Sequence, residues 1–109
     1  MAQLSTKIKE YLKANSVNEV DFTTDVLLQD DGQGAYIKEW NISGVAKPSD
    51  SDLSAVESAA NTAEANASVV ATRLSLYGSI AEQIEYITEN GIEAWQTKVA
   101  QIKADNPKQ

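Results

Sequence analysis

The chain has 109 residues and a mass of 11.8 kDa, enough for one small domain or a small domain with an extension. Nine Lys and Arg against 16 Asp and Glu leave a net charge of −7, the wrong sign for a phosphate-binding surface, which needs clustered cations. The chain has no Cys and no His, which excludes disulfides, thiolate nucleophiles, Cys-ligated zinc and an imidazole base; an enzyme is not expected.

Leu4, Ile8, Tyr11 and Leu12 recur at i, i+4, i+7 and i+8 and predict a short helix over 4–14, with Lys7, Lys9 and Lys13 off the apolar stripe. About eleven residues is too short for a helix to stand alone, so this one must dock on something. Asn15–Asn18 marks its end. From Val20 the composition turns β-branched and aromatic, and Asp30–Gly34 (DDGQG) is a dense turn signal whose glycines supply positive φ. Residues 35–42 alternate, with Tyr36, Lys38, Trp40 and Ile42 on one face and Ala35, Ile37, Glu39 and Asn41 on the other. The pattern predicts a β-hairpin pairing 26–30 with 35–42. Two strands alone are marginal, so the first helix or an added strand must cover them.

Gly44–Asp52 (GVAKPSDSD) reads as a linker in which Ser49 or Ser51 can cap the next helix. Leu53, Val56, Ala60, Ala63, Ala67, Val70, Leu74 and Tyr77 then alternate spacings of three and four, an uncharged heptad stripe. Two readings stay open, a coiled-coil seam and an amphipathic helix packed on its own domain. Ser79 and Glu82 form a capping-box signature for a helix carrying Ile80, Ile84 and Ile87, which Asn90-Gly91 closes. Ile92, Trp95, Val99 and Ile102 define a last helix ending at Asn106-Pro107. These two short helices predict a helical hairpin with Trp95 in its seam.

Little here carries chemistry. Asp30 and Asp31 suit a turn better than a metal site, because the positions after them lack the alternating ligands and closing glutamate of a calcium loop. Trp40 is either a core residue of the hairpin or an exposed anchor for a partner. Glu82, Glu85 and Glu89 read as a solvated helix face. No Ser has a His partner, and neither a nucleophile elbow nor a phosphate loop is present. No cofactor and no metal is expected. Charged residues at 7, 9, 10 and 13 interrupt the place where a signal peptide would carry its apolar run, and no stretch approaches the roughly 18 apolar residues of a membrane span. The chain is expected to be made in a cytoplasm and to stay there or join an assembly formed there. Large apolar residues are sparse in the Ala-rich second half, so another chain is expected to complete part of its apolar surface.

Two stretches resemble known proteins. Asp30–Asn41 (DDGQGAYIKEWN) resembles the D-G-x-G-x-Y-I-x-x-W-N hairpin of small accessory proteins encoded beside tail-fibre genes of phages and phage-like elements, the XkdW family among them. There too a short helix precedes the hairpin and a proline-containing link follows it. Tyr77–Lys108 is similar to a C-terminal module of phage tail-fibre and tail-fibre-assembly proteins, matched here by Tyr77, Ser79, Ile80, Glu82, Gln83, Ile84, Gly91, Trp95, Ile102, Lys103, Pro107 and Lys108.

The expected fold is α+β, with a helix-plus-hairpin head over 1–45, a linker over 46–52, a heptad helix over 53–77 and a C-terminal helical module over 78–109. The resemblance implies a non-enzymatic structural or adaptor component of a phage tail, in the tail fibre or baseplate, which reaches the virion after assembly in the host cytoplasm. The alternative it implies is a tail-fibre assembly chaperone that leaves before the particle matures. The expected partners are a tail-fibre or baseplate protein and further copies of the chain, a trimer by analogy with threefold fibres, with neither nucleic acid nor membrane. The expected partner-binding residues are Tyr36 and Trp40 on the hairpin, whose open edge can accept a strand, and Leu53, Val56, Ala60, Ala63, Ala67, Val70, Leu74 and Tyr77 on the stripe.

Overall fold

A computed structural model describes residues 2–109. Seven elements follow in order: α1 (Leu4–Ala14), β1 (Val26–Asp30), β2 (Ala35–Trp40), α2 (Asp50–Ala55), α3 (Glu57–Tyr77), α4 (Ile80–Asn90) and α5 (Ile92–Asp105). The fold is α+β and mostly helical, with one antiparallel hairpin, as the changes of hydrophobic period predict. The chain divides into two units, one ending at Glu64 and one running Ala65–Gln109.

In the first unit the α1 stripe does what its spacing requires. Ile8 and Leu12 are buried completely together with Val26 of β1, and Leu28, Ile37, Trp40, Val45 and Leu53 pack around them. Each of the three contributes about 1.5–3 kcal/mol by leaving water. The helix ends in a Schellman motif. Val17 N–H donates to Leu12 O (2.8 Å) and Ser16 N–H to Lys13 O (3.1 Å). The residue in the left-handed position of that motif is Ser16, at φ 66°, where glycine is the usual occupant.

The hairpin turns through Asp31–Gly34, with Gly32 and Gly34 at φ 103° and 106°. The Asp30 carboxylate pins the loop by accepting from Gly32 N (2.8 Å) and Gly34 N (3.3 Å). The register pairs Leu27 with Glu39 but Leu28 with Ile37, so Lys38 is a bulge. This corrects the alternating pattern expected for β2. The extra residue shifts the pleat by one, so Ile37 and Trp40 both turn toward the core while Tyr36 stays outside.

Ser49 caps α2 in a capping box, its Oγ accepting from Asp52 N (3.1 Å) while Asp52 Oδ2 accepts from Ser49 N (2.9 Å). The helix expected to run unbroken over 53–77 is interrupted at Val56, whose φ of −103° and ψ of 6° end α2 before α3 begins. The joint lets Leu53 reach the core while Glu57 meets α1. There the Glu57 carboxylate pairs with Lys7 Nζ (2.7 Å) and accepts from Ala2 N (3.2 Å), and Glu64 accepts from Gln3 N (2.7 Å).

The second unit consists of the distal part of α3, then α4 and α5. Ser79 and Glu82 form the predicted capping box, with both bonds at 3.1 Å. Gly91, at φ 88°, closes α4 by donating to Ile87 O (2.7 Å). Trp95 occupies the seam, edge-on to Tyr77 (6.2 Å between centroids) and tilted on Tyr86 (5.7 Å). Lys98 Nζ sits 4.4 Å above the Tyr86 ring, within cation–π range. Arg73 staples α3 to the end of α5, donating from Nε to Asn106 O (2.8 Å) and from Nη2 to Lys103 O (3.4 Å). Its charge there also suits the negative end of the α5 dipole. Asn66 and Gln109 add a reciprocal pair of bonds.

Candidate interaction surface

The candidate residues fall into three environments. At the hairpin tip, Tyr36 is exposed and its hydroxyl donates to Asp31 Oδ2 (2.6 Å), while Gln29 Nε2 donates to Asp31 Oδ1 (2.6 Å). The Tyr36 bond, followed by the Gln29 bond, holds the Asp31 carboxyl below the usual aspartate range, and the same bond pushes the Tyr36 phenol up. A shallow groove runs beside β2, lined by Leu4, Tyr36, Ile37, Lys47, Pro48 and Leu53. The bulge at Lys38 interrupts the regular ladder of β2, a feature that discourages a further strand from pairing there.

Trp40 takes the core alternative. It lies edge-on to Tyr11 (6.3 Å between centroids), and its indole N–H donates to Val45 O (2.9 Å). Tyr36 and Trp40, expected on one face, lie on opposite sides of the sheet.

The heptad stripe is divided. Leu53 packs on the first unit's core, Val56 forms the joint, Ala60 is completely buried and Ala63 is half-buried. Beyond Glu64 the same spacing turns outward: Ala67 is exposed, Val70 is 36% exposed and Leu74 59%. Tyr77 returns inward to Trp95. The proximal half therefore follows the reading of a helix packed on its own domain, and only the distal half remains available to another chain.

Several contacting residues carried no motif in the sequence. The Glu57 and Glu64 carboxyls are held below the usual glutamate range, Glu57 first by Lys7 and Glu64 first by the Thr6 hydroxyl. Arg73 was findable, since it is the only charged residue between Ala65 and Tyr77. Ile80, Ile84 and Ile92, whose spacing marks the last two helices, are exposed, Ile80 to 76%. Among the described residues no three His, Cys, Asp or Glu gather as a metal cluster, and no helix is long and apolar enough to cross a membrane.

The model of the XkdW protein family matches residues 9–65, slightly more than half of the chain. The match takes in most of α1, the hairpin, α2 and the start of α3, and it ends within one residue of the first unit's boundary. No curated protein and no solved structure matches the chain.

Proposed function

This chain belongs to the XkdW family, a phage-associated family, and from that premise we propose that it is a non-enzymatic structural or adaptor component of a phage tail. The family match carries the reading, because it covers most of α1 and the whole hairpin and stops within one residue of the end of that unit. In this reading the first unit docks on a tail-fibre or baseplate protein, offering exposed Tyr36 and the groove beside it. A chain with no His or Cys, whose Asp31, Glu57 and Glu82 carboxyls are engaged by neighbouring donors, is equipped for holding rather than for catalysis. The protein acts in the virion tail after assembly in the host cytoplasm, and contacts neither nucleic acid nor membrane.

Mass spectrometry of intact, purified virions tests the reading. The chain is expected in the particle at a fixed ratio to the tail-fibre or baseplate proteins. Its absence from virions, together with its recovery on unassembled fibres from the lysate, would replace the structural role with that of an assembly chaperone.

A further inference from the structure

We infer that Asn90 is a site of spontaneous deamidation, and that the turn joining α4 to α5 is the gate that controls it. The reaction needs an asparagine amide carbon and a following backbone nitrogen free to attack it. A side chain on the following residue hinders that approach, and proline has no N–H to lose. Of the chain's seven asparagines only Asn90 precedes glycine. Asn90 and Gly91 are both exposed, so water reaches them. Asp31-Gly32 has the same permissive glycine, but the Asp31 carboxylate is occupied by Tyr36 and Gln29 and has no leaving group comparable with ammonia.

In the folded chain both reacting groups are engaged. Gly91 N–H donates to Ile87 O (2.7 Å), and Asn90 Nδ2 donates to Tyr86 O (3.2 Å). The second bond runs back along α4, away from Gly91, as side chains on a helix lean. Attack therefore waits for the last turn of α4 to open. That opening is a low-energy event, because no residue of 65–109 is buried. Once it occurs, the Gly91 nitrogen bonds to Asn90 Cγ, the Cγ–Nδ2 bond breaks, and Nδ2 leaves as ammonia with the proton lost from Gly91 N. Water then adds at either carbonyl of the ring and leaves aspartate or isoaspartate.

The position gives the reaction a structural consequence. Gly91 serves two helices at once: its N–H closes α4, and its carbonyl accepts from Trp95 N (3.3 Å) to begin α5. The nitrogen of the ring carries no hydrogen, so ring and closing bond exclude each other. Isoaspartate lengthens the backbone by one carbon immediately before this shared residue. Either product also places an anion at the negative end of the α4 dipole. Deamidation thus loosens the α4–α5 hairpin irreversibly, and Trp95, packed on Tyr86 in its seam, registers the change.

Ageing the full chain at mildly alkaline pH, with and without guanidinium chloride, followed by tryptic digestion and mass spectrometry, tests this. The peptide spanning 74–98 holds no asparagine besides Asn90, and its fragment ions separate Asn90 from Gln83 and Gln96. Conversion is expected at Asn90 ahead of every other asparagine, with isoaspartate among the products. The native chain should react at least about tenfold more slowly than the denatured one, the ratio set by the free energy of opening. In Trp40→Phe, where Trp95 reports alone, ageing should lower the unfolding midpoint. Adding Asn90→Gln, whose longer side chain disfavours the ring, should hold the midpoint constant. Equal rates with and without denaturant overturn the gate. Faster conversion at another asparagine, or none at Asn90 in denaturant, overturns the site. A fully converted chain with an unchanged midpoint overturns the loosening.

Discussion

The unit ending at Glu64 buries Ile8, Leu12 and Val26 completely, while the unit from Ala65 onward buries no side chain to that degree. Both contain well-capped helices, so local helix signals do not explain the difference. In the first unit a short amphipathic helix meets a sheet face, and two different elements supply large residues to one point. In the second unit the large residues are divided. Tyr77, Tyr86 and Trp95 face one another, whereas Val70, Leu74, Ile80, Ile84 and Ile92 face water. Regular secondary structure is thus compatible with an unfinished core, and the second unit is expected to open at lower free energy than the first. One tryptophan lies in each unit, so Trp95→Phe leaves Trp40 to report on the first and Trp40→Phe leaves Trp95 to report on the second.

The contrast breaks most visibly at the core. Ile8→Ala should cost about 2–5 kcal/mol, because a fully buried side chain leaves a cavity. Ile84→Ala should cost within about 0.5 kcal/mol, because its side chain is 59% exposed. Urea titrations read through Trp40 and Trp95 check both values. Equal losses would show that the second unit hides a core of its own.

Caps sharpen the comparison at the next level. Ser79→Ala removes one side of a two-bond capping box and should cost about 1 kcal/mol. Its effect is expected in the Trp95 transition with the Trp40 transition unmoved. Coincident shifts of both would mean that the two units unfold as one block.

Acid acts on the first unit through Glu57. Lys7 above all lowers its folded pKa, so the unfolded chain binds more protons at this site. The stabilisation is complete above the ordinary glutamate range and is lost as pH falls through the lowered folded value. The stability gap between wild type and Glu57→Gln, read through Trp40, should therefore shrink on acidification. A gap that stays constant into strong acid would assign the contact to the neutral carboxyl.

Much of this architecture was legible because single residues determine it. Asp30, Gly32 and Gly34 set the turn, Ser79 and Glu82 start α4, and Gly91 ends it, each by a mechanism contained within four residues. The bulge at Lys38 was not legible, since a pattern of alternating polar and apolar residues looks continuous whether or not one position is extra. The break at Val56 was hidden for a related reason: the heptad spacing crosses it without a fault, and only the contacts of Leu53 and Glu57 separate α2 from α3. The stripe itself was visible from Leu53 to Tyr77, but its division into covered and open halves depends on Lys7, Ala2 and Gln3 meeting Glu57 and Glu64, partners fifty or more residues away in sequence. The placement of Trp40 likewise needed Tyr11 and Val45.

The smallest effect is expected where the first unit is least ideal. Ser16 completes the Schellman turn after α1 with a φ of 66°, a conformation in which Cβ crowds the following carbonyl. Ser16→Gly removes that crowding, worth about 1–2 kcal/mol, but gives the unfolded chain more freedom, worth about 0.4–1 kcal/mol in the other direction. The bonds that define the motif are backbone bonds from Val17 to Leu12 and from Ser16 to Lys13, so the substitution keeps them. The balance favours a gain of about 0.5–1 kcal/mol, confined to the Trp40 transition because the turn anchors Val17 against the Ile8–Leu12–Val26 core. Ser16→Ala is the control: it keeps the Cβ and should not stabilise. If Ser16→Ala stabilised as much as Ser16→Gly, the backbone strain assigned to this turn would be wrong, and the serine hydroxyl would be the group at fault.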